Sequence, residues 1–235
     1  MTRRVAVAIP ALQAEAFVAD IVRRTLAVLP DLLVIDDGSS DHTGDVARSA
    51  GAEVITMPHN RGKGAALRAA FCEFFRRGYE AVVTLDADGQ HLPEEIPKLL
   101  RGWEEGGDLV LGTRERLYSQ MGRLRRTSNR ASSRAISIVA GTRLRDVQTG
   151  FRLYTRPLIA ATGFPEPRFE AETAVVVRAV RRGFSIITVP IDLGYADGLA
   201  TSHYRPILDS LRIAVAVARA RVERISPSRE PWWLS

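Results

Sequence analysis

The residues best equipped for chemistry are Asp86-Ala87-Asp88-Gly89-Gln90-His91. They follow the apolar run Ala81–Leu85, which reads as a buried strand. Alternate residues of an extended chain point the same way, so Asp86 and Asp88 can converge on one ion, with Gln90 adding a neutral oxygen. Oxygen-only ligation suits Mg²⁺ or Mn²⁺, which bind through one or two carboxylates and the phosphates of a substrate. A second acidic cluster, Asp36-Asp37-Gly38-Ser39-Ser40-Asp41, follows another apolar run, Leu32–Ile35. Asp37 at that strand end can accept hydrogen bonds from a nucleobase or from ribose hydroxyls. Together the clusters imply a metal–nucleotide site at the carboxyl ends of parallel strands.

Other groups offer two readings each. Asn60-Arg61-Gly62-Lys63-Gly64 opens a helix. Its glycines would let backbone approach a phosphate, with Lys63 adding charge, or it is an ordinary helix entry. It lacks the Gly-x4-Gly-Lys-Ser/Thr pattern of a Walker A loop. Arg114 either faces the same crevice or is a solvated loop arginine. Asp146 and Glu172 would serve as a general base or hold arginines within the fold. Ser202 and His203, in the glycine-containing loop Gly194–Arg205, could close over a diphosphate. His42 and His91 have no other histidine at metal-site spacing and read as turn residues. Cys72, the only cysteine, lies among apolar residues without a basic activator and reads as a structural thiol.

The elements that must position these groups alternate. Strand-like runs at Val5–Ile9, Leu32–Ile35, Glu53–Thr56, Ala81–Leu85 and Asp108–Gly112 are separated by helical patterns over Ala16–Leu29, Ser40–Ser49, Lys63–Arg76 and Pro93–Glu105. This alternation predicts an α/β fold with a mostly parallel central sheet flanked by helices, and such sheets bind ligands beyond the carboxyl ends of their strands. Past Gly112 the pattern changes. Thr113–Ser128 reads as a basic loop, Asn129–Ala140 as a helix, Asp146–Tyr154 as an extended segment bent at Gly150, Glu170–Arg182 as a helix and Ile186–Val189 as a strand.

The last segment is distinct. Apolar residues from Ile207 to Ile225 fall at helical spacing, arginines lie mainly off that stripe, and Trp232-Trp233 follow. A basic amphipathic helix ending in tryptophans suits a membrane surface; the alternative is a last helix docked on the sheet. Across 235 residues the formal charge is +6, carried almost wholly by arginine, since Lys63 and Lys98 are the only lysines. Aromatics are sparse and the arginines dispersed, which argues against a nucleic-acid partner. The start of the chain reads as too promptly broken for a signal peptide, and no window is apolar enough to span a bilayer. The expected location is the cytoplasm, peripheral at the cytoplasmic face of the membrane.

The ordered set resembles the inverting family 2 glycosyltransferases of GT-A fold, particularly the dolichyl- or polyprenyl-phosphate sugar synthases. The matching pieces are Ile9-Pro10-Ala11-Leu12, Asp36 to Thr43, Asn60 to Gly64, Asp86 to Pro93, Gly112-Thr113-Arg114, Asp146 to Arg152 and Val189-Pro190-Ile191. The resemblance implies a sugar transfer from a nucleotide-diphosphate donor, of GDP-mannose or UDP-glucose type, to a polyprenyl phosphate, with Mg²⁺ or Mn²⁺ on the donor diphosphate at Asp86, Asp88 and Gln90. It implies that Pro10, Ala11 and Asp37 line the nucleoside pocket. Arg114, Ser202 and His203 would contact phosphates. Where the family carries Asn-Glu after the first strand, this chain has Gln13-Ala14-Glu15, which puts Glu15 in the place of the acidic contact. The late loop, Ala196 to His203, likewise departs from the family's arginine and Ser-Lys. The expected organisation is a transferase domain over 1–205 and an amphipathic helix with a tryptophan tail over 206–235. A soluble or saccharide acceptor is the nearest alternative and would require a carboxylate base.

Overall fold

The computed structural model describes residues 4–113, 147, 149–194, 206–223 and 232–233, with the backbone alone for 206–210. Strand β1 (Val5–Ala11) leads into α1 (Glu15–Leu26), then β2 (Leu32–Asp36), α2 (Thr43–Ser49), β3 (Glu53–Thr56), α3 (Lys63–Arg76) and β4 (Ala81–Thr84). A 3-10 turn at Pro93–Glu95 opens α4 (Ile96–Glu104), followed by β5 (Leu109–Thr113). After the segment that leads to β6 (Arg152–Thr155) come α5 (Arg156–Thr162), α6 (Glu170–Arg181), β7 (Ile186–Pro190) and α7 (Pro206–Val222).

The seven strands form one sheet in the order β3-β2-β1-β4-β6-β5-β7. All neighbours are parallel except β6, which runs antiparallel between β4 and β5. The register aligns Ala11 with Asp36 and Ala8 with Thr84, so β1, β2 and β4 deliver their carboxyl ends to one edge of the sheet.

Both faces of the sheet are covered, which is why its strands read as continuous apolar runs. Every residue of β2 and of β4 is buried. One core layer joins Ala6, Ala8, Leu33 and Ile35 to Phe71, Phe74 and Phe75 of α3 and to α5, α6 and α7. The other joins Val7, Ile9 and Val34 to Val18, Ile21 and Val22 of α1 and to Leu99 of α4. Cys72 is half-buried against the first layer, and burial raises its thiol pKa, as a structural thiol requires.

The end of the chain packs inward. Ala216, Val217 and Ala220 of α7 are buried in the first core layer. Arg178 of α6 reaches Glu223 at 2.8 Å, and Arg181 donates to the Ala220 carbonyl at 2.7 Å. Trp233 is buried, its ring centroid 5.0 Å from that of Phe75, and Trp232 donates its indole N–H to the Ile159 carbonyl. The tryptophan pair thus completes the core rather than presenting free anchors to a membrane surface.

Candidate active site

A cleft of about 400 Å³ opens at the carboxyl ends of β1, β2 and β4. Its walls come from Pro10–Ala14 at and just past the end of β1, Asp37 after β2, Asn60, Gly62 and Lys63 at the start of α3, and Asp86–Asp88 after β4. Arg168, Phe169 and Arg212 complete it. Four strands and helices distant in sequence therefore bring Pro10, Ala11, Asp37, Lys63, Asp86 and Asp88 to one cavity.

The Asp37 carboxylate is buried and accepts the Arg61 and Gly62 backbone N–H groups, each at 2.7 Å. Burial raises its pKa in spite of these bonds. Asp37 thereby fixes the turn into α3, and each oxygen keeps a lone pair for a ligand. Asp36 accepts the Ser39 N–H at 2.9 Å and shapes the preceding turn.

Gln13, at φ 53°, accepts the Ser40 and Asp41 N–H groups through its side-chain oxygen. Glu15 turns towards the start of α2, where its carboxylate accepts the His42 N–H at 3.1 Å. It braces the loop and is not among the residues that line the cleft.

Lys63 is the pivot of the site. Its ammonium lies 2.5 Å from Asp86 Oδ1 and 2.9 Å from Glu172 Oε2. Burial opposes its charge, yet the two carboxylates prevail and raise its pKa above the ordinary range. Glu172 is buried outside the cleft wall, its other oxygen 3.7 Å from Arg152 Nε. Of its two sequence readings, the structure favours a partner for buried cations over a base for an acceptor. Arg152, also buried, donates to the carbonyls of Thr149, Glu172 and Val147 and so pins the approach to β6.

The glycines around Lys63 serve the protein's own backbone. A Cβ at Gly62 would stand 2.5 Å from the Pro167 carbonyl oxygen, and one at Gly64 would overlap the Glu166 carbonyl. Ala65 donates its N–H to Pro167 at 2.9 Å. The close approach expected for a phosphate is thus taken by the 166–168 segment, which places Arg168 on the cleft wall.

Asp86 is confined from several sides. Its N–H donates to His91 Nδ1 at 3.2 Å, and a side chain at Gly150 would collide with its carboxylate. His91 is buried and stacked on Phe151, as a turn residue. Asp88 Oδ1 accepts the Gln90 N–H at 3.0 Å; Gln90 itself does not line the cleft. Among the described residues no group of three or more His, Cys, Asp or Glu gathers for a metal. The donor set nonetheless fits a hard cation. Two carboxylates share a cleft wall, one already beside an ammonium, and Mg²⁺ or Mn²⁺ takes its remaining ligands from water and phosphates.

Arg168 and Arg212 add positive charge to the same cleft, and sequence reasoning did not single them out for it. No motif surrounds Arg168, and Arg212 looks like any other arginine of a basic helix. Arg114, Asp146, Ser202 and His203 lie outside the described residues.

The family model for glycosyl transferase family 2 matches residues 6–163, which hold all but the first residue of β1, the strands β2 to β6 and both acidic clusters. The chain belongs to glycosyl transferase family 2. Polyprenol monophosphomannose synthase of Mycolicibacterium smegmatis is 31% identical over 207 residues, covering 81% of this chain and 77% of that protein. Glycosyltransferase AglJ of Haloferax volcanii is 35% identical over 162 residues, covering 68% of this chain. The chain spans only 52% of AglJ. In fold, glucosyl-3-phosphoglycerate synthase from Mycobacterium tuberculosis in complex with UDP superimposes with a TM-score of 0.72 at 23% identity, over 94% of this chain and 80% of that one. The architecture is therefore the GT-A type expected of the family: a mixed seven-stranded sheet flanked by helices.

Proposed function

We propose that this glycosyltransferase moves a sugar from a nucleoside-diphosphate donor to a polyprenyl phosphate, with inversion at the anomeric carbon. The observation that carries the reading is the meeting of Asp37, Asp86 and Asp88 with Arg168 and Arg212 around one cleft beyond the strand ends. The names of two relatives, the polyprenol monophosphomannose synthase and an undecaprenyl-phosphate mannosyltransferase of Micrococcus luteus, support the acceptor class. The donor is of GDP-mannose or UDP-glucose type.

Asp37 and the Pro10–Ala14 wall receive the nucleoside, and Lys63, Arg168 and Arg212 face the phosphates. Asp86 and Asp88, with Gln90 beyond them, would hold Mg²⁺ or Mn²⁺, which would stabilise the charge of the leaving diphosphate. A phosphate monoester has a second pKa of about 6, so the acceptor is mostly dianionic at neutral pH and needs no base. That agrees with Glu172, which lies behind the cleft wall and pairs with Lys63 instead of facing an acceptor. An acceptor phosphate oxygen bonds to the anomeric carbon as the bond from that carbon to the donor diphosphate breaks. Alignment and charge supply the rate. The protein would work as a peripheral protein at the cytoplasmic face of a membrane. No described helix is long and apolar enough to cross one.

The test is incubation of purified protein with Mn²⁺, labelled GDP-mannose or UDP-glucose and polyprenyl phosphate. A lipid-linked sugar of inverted anomeric configuration is expected. Failure of both donors to yield one, with transfer to a soluble saccharide instead, would overturn the acceptor assignment.

A further inference from the structure

The α7 helix carries two apolar faces. Ala216, Val217 and Ala220 are buried, and Ile213 packs on the same core. On the far side Leu211, Val215 and Val222 are 62%, 45% and 79% exposed, the exposed large apolar side chains among the described residues. At 3.6 residues per turn these three fall within about 40° of one another, beside the exposed Ala214 and Ala218. Arg219 and Arg221, both exposed, stand roughly 80° to either side of that ridge. Between residues 211 and 223 the only acid is Glu223, which is held by Arg178. Arg212, on the same flank as Arg219, lines the cleft.

An apolar ridge between two cationic rails selects its partner by charge. In a symmetric pairing of two copies, the same patch meets itself, and the rails would add arginine to arginine with no described acid on that face to neutralise them. A layer of anionic headgroups instead neutralises both rails and admits the ridge to the boundary of the acyl chains. We propose that the outer face of α7 docks on an anionic lipid bilayer, which brings the cleft, through Arg212, within reach of the headgroup layer. The purpose of this contact rests on the polyprenyl-phosphate reading, but its measurement does not.

Flotation of the full chain with vesicles tests it. The protein should rise with vesicles of phosphatidylcholine containing phosphatidylglycerol, stay behind with phosphatidylcholine alone, and be released by high salt, because exposed charges are screened. Arg219→Gln with Arg221→Gln should weaken partitioning by roughly thirtyfold, since each cation near an anionic surface contributes about one kcal/mol. Leu211→Ser with Val222→Ser should abolish most of the binding while leaving the melting temperature unchanged, as these side chains are exposed. These variants should still transfer sugar to a short-chain, water-soluble polyprenyl phosphate. Docking is refuted if the native chain stays in the aqueous fraction or if the variants float equally. It is also refuted if sedimentation shows a dimer that Leu211→Asp with Val222→Asp dissociates, which would give the face to a second copy. A chain that floats yet transfers to no polyprenyl phosphate would sink the acceptor reading and leave the docking surface standing.

Discussion

Asp86 shows how little freedom a candidate ligand keeps when its strand, its turn and a buried lysine all constrain it. A Cβ at Gly150 would overlap its carboxylate, and the Gly150 carbonyl is itself fixed by the Thr84 hydroxyl at 3.0 Å. Gly150→Ala should therefore turn Asp86 aside and cut turnover by about a hundredfold, the scale of a 1 Å misplacement at a reacting centre. Calorimetry should show the loss of Mn²⁺-dependent donor binding, while the circular dichroism spectrum stays native. Undiminished donor affinity would mean that Asp86 is not a ligand.

Lys63→Met leaves Asp86 and Glu172 facing each other without their cation. Breaking a buried pair by removing one partner costs about 3–5 kcal/mol. For a chain of this size that lowers the melting temperature by roughly 6–20 °C. Burial opposes the ammonium, but Asp86 and Glu172 raise its pKa. A cation raised in the folded state stabilises in full below its unfolded pKa, about 10.4, and loses that contribution only as pH climbs through the folded value. The gap in stability between native and variant proteins should thus stay level from about pH 6 to 9. A gap that narrows across that range would contradict the buried ion pair. The place of the two carboxylates on the cleft was legible because they directly follow a buried strand; an i, i+2 acidic pair by itself is common in surface loops. The partner of Lys63 was not legible, since Glu172 lies more than a hundred residues away in the chain and only the packing of α6 on α3 brings it near.

At the scale of elements, helix limits were most legible where a glycine stops the helix, as Gly78 does after α3 and Gly183 after α6. The expected helix Lys63–Arg76 is α3 to the residue, and α6 ends one residue before its expected limit. The β6 strand was visible only as an extended segment. Its antiparallel place between β4 and β5 depends on pairing Val83 with Leu153 and Val110 with Leu153, contacts no local pattern encodes. The α5 helix follows β6 directly, and its start does carry a local signal that the sequence reading passed over: Thr155 caps it, accepting the Leu158 N–H, and Pro157 stands in its first turn. Tryptophans after a basic helix carry the same signature whether they meet lipid or core. The direction of the returning chain decides, and here Trp233 lands on Phe75.

The contact between α6 and α7 turns on Arg178, which is buried and donates to Glu166 at 2.9 Å and to Glu223 at 2.8 Å. Arg178→Met should destabilise the protein by about 3 kcal/mol, the lower end for a broken buried pair. Because Arg212 rides on α7, the same change should raise KM for the donor or acceptor more than it lowers kcat. Measuring both constants beside the melting temperature separates loss of α7 from loss of the whole fold.

For the whole molecule, the cleft draws its walls from both parts of the chain. Residues 10–88 supply the Pro10–Ala14 wall, Asp37, Lys63 and the Asp86–Asp88 carboxylates, and Arg168, Phe169 and Arg212 supply the rest. A ligand spanning that boundary must stabilise the entire fold, because it binds only when both parts are in place. At a free concentration of a hundred times Kd, binding adds about 2.7 kcal/mol, or roughly 5–11 °C for a chain of this length. Nucleoside diphosphate with Mn²⁺ should therefore raise the melting temperature by that amount. A chelator should remove most of the rise, since two negative carboxylates repel a diphosphate unless a cation stands between them. Lys63 already spends its charge on Asp86 and Glu172, so it cannot neutralise the diphosphate unaided. If the full rise persists in chelator, Arg168 and Arg212 bind the diphosphate by themselves, and Asp86 and Asp88 owe their place to the buried lysine.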